Sequence, residues 1–254
     1  VRIYNENTKK IIESHVRVSN GKAEVYGDAE IDGVPGTGSP IDLYFDHPGG
    51  AATGKTFPTG KRMEILDIPG YGPIAATIAD ISNAAVFVRA ADVGMSGVEL
   101  MELNENKEIM EHLERIRCIA AEKLGFVEHW EDARTKCTAS PKIGILSAPQ
   151  DYTGIGGKKI NAQDMDICCR MISLGVMHKA YPMTYAIGTG AAAMLEGTIA
   201  SEMAHLTHGS DQVVIGHASG CTVVKVCMNG DEVEKAGIIR TARRIMDGHV
   251  YIRR

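Results

Sequence analysis

The chain has 254 residues, 44% of them hydrophobic and 23% charged, with a formal net charge of −5. That composition belongs to an ordinary soluble globular protein with a substantial core, and scattered lysines and arginines under a net negative charge exclude an extended nucleic-acid or anionic-membrane surface. No apolar run approaches the roughly 18 residues that span a bilayer, and VRIYNENTKK lacks the apolar centre of a secretory signal, so a cytoplasmic protein is expected.

The first half reads as strands. VRIYNENTKKIIESHVRV gives two β-prone runs around an Asn-rich turn, KAEVYGDAEI a third and PIDLYF a fourth. DGVPGTGSP forms a tight loop, and EILDI and PIAATIADI continue the strands. AAVFVRAADV is apolar enough to be buried on both faces. From Gly97 to Leu124 the texture becomes helical, with Ile109, Leu113, Ile116 and Ala120 on one stripe. KIGILSA is another buried strand. Asn161 is placed to cap a helix over DMDICCRMISLGVMHKA, with Met165, Cys168, Cys169, Ile172 and Val176 inward. YAIGTGAAAMLEGTIASEMAHL reads as a glycine turn opening a helix of small residues, and VVIGHAS, TVVKVCM, EKAGII and HVYI as strands. Strands first, then mixed elements without strict alternation, define an α+β chain.

Two stretches suggest anion binding. GGAATGKT, Gly49 to Thr56, fits the phosphate-loop pattern, but that loop needs a helix behind it, and Pro58 and Gly60 break the turn that should supply one. No ATP or GTP site is expected there. In AIGTGAAAM, Gly188 and Gly190 leave the backbone bare and Ala191, Ala192 and Ala193 favour a helix whose free N–H groups would face an anion; the competing reading is a helix whose small residues permit close packing. The six cysteines, Cys118, Cys137, Cys168, Cys169, Cys221 and Cys227, include no C-x-x-C pair and read as free thiols. His205 and His208 lack a third ligand, and no metal is expected.

The blocks VRIYNENTKK, IDGVPGTGSPI, ATGKTFPTGK, SNAAVFVRAADVGMSGVE, MHKAYPMT, GTGAAA, IGHASG and IIRTARRIMDGHVYI, in this order along the whole chain, resemble the 2-methylaconitate cis-trans isomerase family (PrpF-like), which includes 3-methylitaconate isomerases and 4-oxalomesaconate tautomerases. The resemblance implies a fold like that of diaminopimelate epimerase: two similar α+β domains, each a curved sheet around a central helix, with the active site between them. By that comparison residues 1–60 are the remainder of an N-terminal domain, 61–246 the C-terminal domain, and 247–254 a strand returning to the first. Val1 opens directly into a strand-like run, so part of the N-terminal domain is expected to be missing, and with it a lysine and a cysteine implicated in proton transfer.

The resemblance marks Gly188, Thr189 and Gly190 as the N-terminal end of the second central helix and Asn83 as a carboxylate holder, and the epimerases' second cysteine is replaced in Ala186, Ile187, Gly188. His178 is a further substrate-binding candidate, ahead of Lys179, His217, Arg240, Arg243 and Arg244. The implied reaction is a cofactor-free shift of a proton and double bond in a small unsaturated di- or tricarboxylic acid through an allylic carbanion. The alternatives are 3-methylitaconate Δ-isomerisation, 4-oxalomesaconate tautomerisation and a non-catalytic accessory role beside a dehydratase. A homodimer is expected, and the 254 residues alone are expected to be inactive.

Overall fold

The computed structural model describes residues 1–252. The strands that build the main sheet are β1 (Arg2–Asn5), β2 (Lys10–Val16), β3 (Ile41–Asp46), β4 (Glu64–Ile68), β5 (Gly72–Ile81), β6 (Asn83–Arg89), β7 (Lys142–Ser147), β8 (Ile167–Ser173), β9 (Gln212–His217), β10 (Gly220–Asn229) and β11 (Glu232–Arg240). The helices that matter for the argument are α1 (Lys107–Lys123), α2 (Met183–Ala193) and α3 (Ile199–Met203). The strands run in the order β1-β2-β3-β11-β10-β9-β8-β7-β6-β5-β4, with the two-residue strand Val176–Met177 on β8 completing a 12-stranded sheet. Only β6 with β7 and β8 with β9 pair in parallel. The fold is thus mixed α and β around one large, mostly antiparallel sheet.

The long apolar run in β6 has its explanation in this layout. Ala85 and Phe87 face the core around α2, while Ala84, Val86 and Val88 face the core under α1. A strand buried on both faces needs no polar alternation. Helix α1 forms as its stripe requires, with Leu113, Ile116 and Ala120 fully buried and the Asn106 side chain accepting the Ile109 amide hydrogen at 3.2 Å. Helix α2 touches β5 and β6 on one flank and β9, β10 and β11 on the other. Strands that far apart in the sheet reach one helix because the sheet curves around it.

The structure corrects four elements. DMDICCRMISLGVMHKA is no helix: Ile167–Ser173 is a strand between β7 and β9, and Asn161 caps a single 3₁₀ turn, Ala162–Asp164. A segment buried all round satisfies helical and strand spacing alike, so periodicity had nothing to select on. Cys168 and Cys169 therefore point to opposite faces of a strand. KAEVYGDAEI forms only the two-residue strands Lys22–Ala23 and Ala29–Glu30. The small-residue helix is interrupted after Ala193, and Thr198 caps the separate α3. The returning strand expected over 247–254 is not formed at residues 247–252, where the backbone is irregular; Arg253 and Arg254 lie outside the described residues.

Gly188 and Gly190 lie inside α2, where each costs about 1 kcal/mol of helix propensity relative to alanine. Contact requires them. A Cβ on Gly188 would sit 2.7 Å from the Ile81 carbonyl oxygen, and one on Gly190 would sit 2.9 Å from two carbons of Val224 on β10. Gly190→Val is therefore expected to destabilise the fold by about 1–3 kcal/mol, the usual cost of overpacking. Urea unfolding checks this; an unchanged midpoint would show that α2 does not need the close approach.

Candidate functional site

The phosphate-loop lookalike is occupied by the protein itself. Residues 55–60 form no helix. The fully buried Asp80 accepts hydrogen bonds from the amides of Ala52 (2.8 Å) and Thr53 (2.7 Å) and from the Thr53 hydroxyl (2.9 Å), while the Gly50 amide donates to the Asp80 carbonyl at 2.7 Å. Donors that would wrap a phosphate are thus paired with a carboxylate.

The glycines of GTGAAA are not at a helix start, which corrects the site expected at Gly188, Thr189 and Gly190. All three are buried in the middle of α2, their amides inside its hydrogen-bond ladder. The Thr189 hydroxyl donates to the Tyr185 carbonyl at 2.9 Å and lies 2.9 Å from the Tyr181 hydroxyl. Helix α2 begins five residues earlier because Pro182, extended at ψ 133°, ends the preceding strand-like path and presets the first turn. Tyr185 and Ala186 are the first residues whose amides donate back, both to the Pro182 carbonyl, at 3.0 and 2.8 Å. The amides of Met183 and Thr184 have no acceptor among the described residues.

Thr184 opens onto a cavity of about 200 Å³ whose other walls include Asn5, Lys10, Ser82 and Asn83. Each arrives for a local reason. Asn5 closes an Asx turn at the β1–β2 hairpin by accepting the amides of Asn7 and Thr8 at 3.0 and 3.4 Å. Lys10, on β2, donates from Nζ to the Gly49 carbonyl at 2.9 Å, an acceptor that leaves its charge uncompensated. Ser82 alone links β5 to β6 and takes a left-handed backbone at φ 63°, which costs a residue with a Cβ about 1–2 kcal/mol. Its amide is satisfied by Pro48 at 2.7 Å, but its hydroxyl, in a side chain only 6% exposed, has no partner. Asn83 follows, half-buried, and lines the cavity. No carboxylate lines this cavity; one cation, one orphaned hydroxyl, several amides and a helix N-terminus do.

His178 lines a second cavity, of about 340 Å³, shared with Pro182, Met183, His217 and Arg240. Its Nδ1 accepts the Ala180 amide hydrogen at 3.2 Å, so the neutral ring carries its proton on Nε2. His217 is a satisfied core histidine: Nδ1 accepts the Ser219 amide at 3.2 Å and Nε2 lies 3.0 Å from the Thr222 hydroxyl. Lys179, Arg243 and Arg244 are exposed and line neither cavity. Among the described residues, no group of three or more His, Cys, Asp or Glu side chains is placed to hold a metal, and no helix is long and apolar enough to cross a membrane.

Lys10, Ser82 and Thr184 escaped the sequence reading. Thr184 follows Pro182, whose presence was the available signal for the helix start; Lys10 and Ser82 become site residues only through pairings between distant segments.

Burial pushes His217 down to about 4. An unfolded histidine titrates near 6.5 and binds protons there that the folded one refuses, so stability from neutral His217 is complete above about pH 6.5 and declines as pH falls toward 4. The full loss is about 3 kcal/mol. Denaturant unfolding at pH 7 and pH 4.5 should show a smaller acid loss in His217→Gln than in the wild type; equal losses would place the acid sensitivity elsewhere.

The family described as PrpF protein matches residues 1–253. The chain is 40% identical over 254 residues to a 3-methylitaconate isomerase of Eubacterium barkeri, covering 99% of this chain and 67% of that protein. It is 32% identical over 260 residues to a 2-methyl-aconitate isomerase of Shewanella oneidensis, covering 99% and 65%. A crystal structure of methylitaconate-delta-isomerase superimposes with a TM-score of 0.91 at 40% identity, over 99% of this chain and 65% of that one. The chain spans about two thirds of the length of these relatives.

Proposed function

We propose that this chain, which belongs to the PrpF family, carries the carboxylate-binding half of an isomerase that moves a proton within a small unsaturated di- or tricarboxylic acid. The observation that carries the reading is the cavity at the start of α2, where Thr184 with its free amide, Asn83, Ser82 and Lys10 line a space without a carboxylate among the described residues. The names of the relatives supply the reaction type: isomerisation of 3-methylitaconate, 2-methylaconitate or (4E)-oxalomesaconate.

The chemistry asks for such a site. Removing a proton from carbon beside a conjugated double bond leaves an allylic carbanion, whose charge spreads onto the attached carboxylate. Return of the proton at the far allylic carbon shifts the double bond; return at the original carbon after rotation exchanges cis for trans. Fixed amides at a helix start stabilise the developing charge without reorganising, and the helix dipole has the right sign. Lys10 is the only ionisable side chain on the cavity wall, and its Nζ is held by a carbonyl. In this reading the cavity wall binds and polarises the substrate, and none of its residues is assigned as the base. By the resemblance to diaminopimelate epimerase we assign 61–246 to the domain around α2 and 1–60 to its neighbour, although β1 to β3 continue the same sheet as β11.

Binding tests the reading without turnover. Titration with a saturated dicarboxylate such as glutarate should show affinity that falls about tenfold in Asn83→Ala and in Lys10→Met, the loss of one charge-assisted or amide contact. Glutarate that ignores both substitutions would remove the cavity at Asn83 from consideration.

A further inference from the structure

We infer that Arg240 is a second carboxylate anchor, holding the remote carboxylate of a ligand whose reacting end lies at Asn83 and the start of α2, and that it selects tricarboxylic over dicarboxylic acids. The inference rests on the site proposed above. Arg240 ends β11 at the wall of the cavity that also contains His178 and Met183. The first cavity contains Thr184. Consecutive residues of one helical turn thus line two cavities.

The charge of Arg240 has no counterpart. It is half-buried and, among the described residues, makes no hydrogen bond and no ion pair. Burial lowers its titration, and although Glu30, Asp32 and Asp42 share a further cavity with it, none forms an ion pair with it among the described residues. The one carboxylate on the cavity wall, Asp32, is engaged by Lys158 and by the Cys221 amide at 2.7 Å. A cation removed from water without a partner is unfavourable, and a planar guanidinium pairs best with a carboxylate in bidentate fashion. His178 adds the free Nε2–H donor on the same wall, whereas both ring nitrogens of His217 are engaged within the protein. The set recognises one anionic, planar group. Residues 31–34 also line this cavity.

Calorimetric titration of the full chain with propane-1,2,3-tricarboxylate and with glutarate, neither of which can isomerise, separates the two readings. The wild type should bind the tricarboxylate more tightly. Arg240→Gln should weaken the tricarboxylate at least about tenfold and leave glutarate within about twofold, while Arg240→Lys, which keeps the charge but not the fork, should fall between. Asn83→Ala should weaken both acids. Equal weakening of both by Arg240→Gln, or no weakening of either, overturns the role of Arg240 and leaves the cavity at Asn83 standing. Failure of both acids to bind the wild type overturns both. Unfolding midpoints are measured alongside, and should Arg240→Gln fail to fold, Arg240→Lys is judged by the same ratio: an unchanged preference for the tricarboxylate overturns the inference.

Discussion

The approach of α2 to the sheet, without a side chain at Gly188 or Gly190, sets the position of everything functional in this chain. Only a bare Cα passes the Ile81 carbonyl, and only a bare Cα passes Val224. Because α2 is pinned at its middle between β5 and β10, its first turn is held at the rim, beside the Ser82 link that joins β5 to β6. The same strand thus contacts the helix through Ile81 and delivers Ser82 and Asn83 to the cavity. Packing and binding are two ends of one rigid arrangement, which is how a site gains geometry accurate enough for preorganised donors to matter.

The same logic explains why the glycines looked like a binding motif. Glycine marks a place where something comes close to the backbone, and sequence does not say whether that something is a ligand or another strand. Here it is Ile81 and Val224. The alternative reading weighed for AIGTGAAAM, close packing, accounts for Gly188, Thr189 and Gly190, and the free amides belong to Met183 and Thr184 instead. Other features were legible because local physics decided them. The stripe on α1 and the both-faced burial of β6 follow directly from the residue pattern, whereas Asn83 came from the family resemblance alone. Ile167–Ser173 was not legible, since a segment enclosed on every side carries no periodic signal. Lys10 and Arg240 were out of reach for another reason. What makes them notable is the absence of a compensating charge, a property of the assembled surroundings.

Several buried ionic groups are matched within the chain: Asp166 accepts from Val214, Thr207 and His208, and Arg117 is paired with Glu114. Others have no acidic partner: the buried Arg170 and the half-buried Lys142 donate to carbonyls. Lys10 and Arg240 belong to this second group and are set apart by their place, on either side of one helix start. Each unpaired donor detracts from stability, and under the proposed function a ligand that brings negative charge would offset that cost at the two cavities.

The strain at Ser82 completes the argument. A left-handed serine costs about as much as a good hydrogen bond contributes, yet the Ser82 hydroxyl makes none within the chain. Relieving the strain with glycine would lose the hydroxyl, and relieving it with a longer link would move Asn83 away from Thr184. Both groups bear on the cavity only if β5 passes to β6 through a single residue in that conformation. The backbone cost therefore holds Ser82 and Asn83 beside the first turn of α2. Under the proposed function that placement serves a carboxylate gaining charge from a neighbouring carbanion.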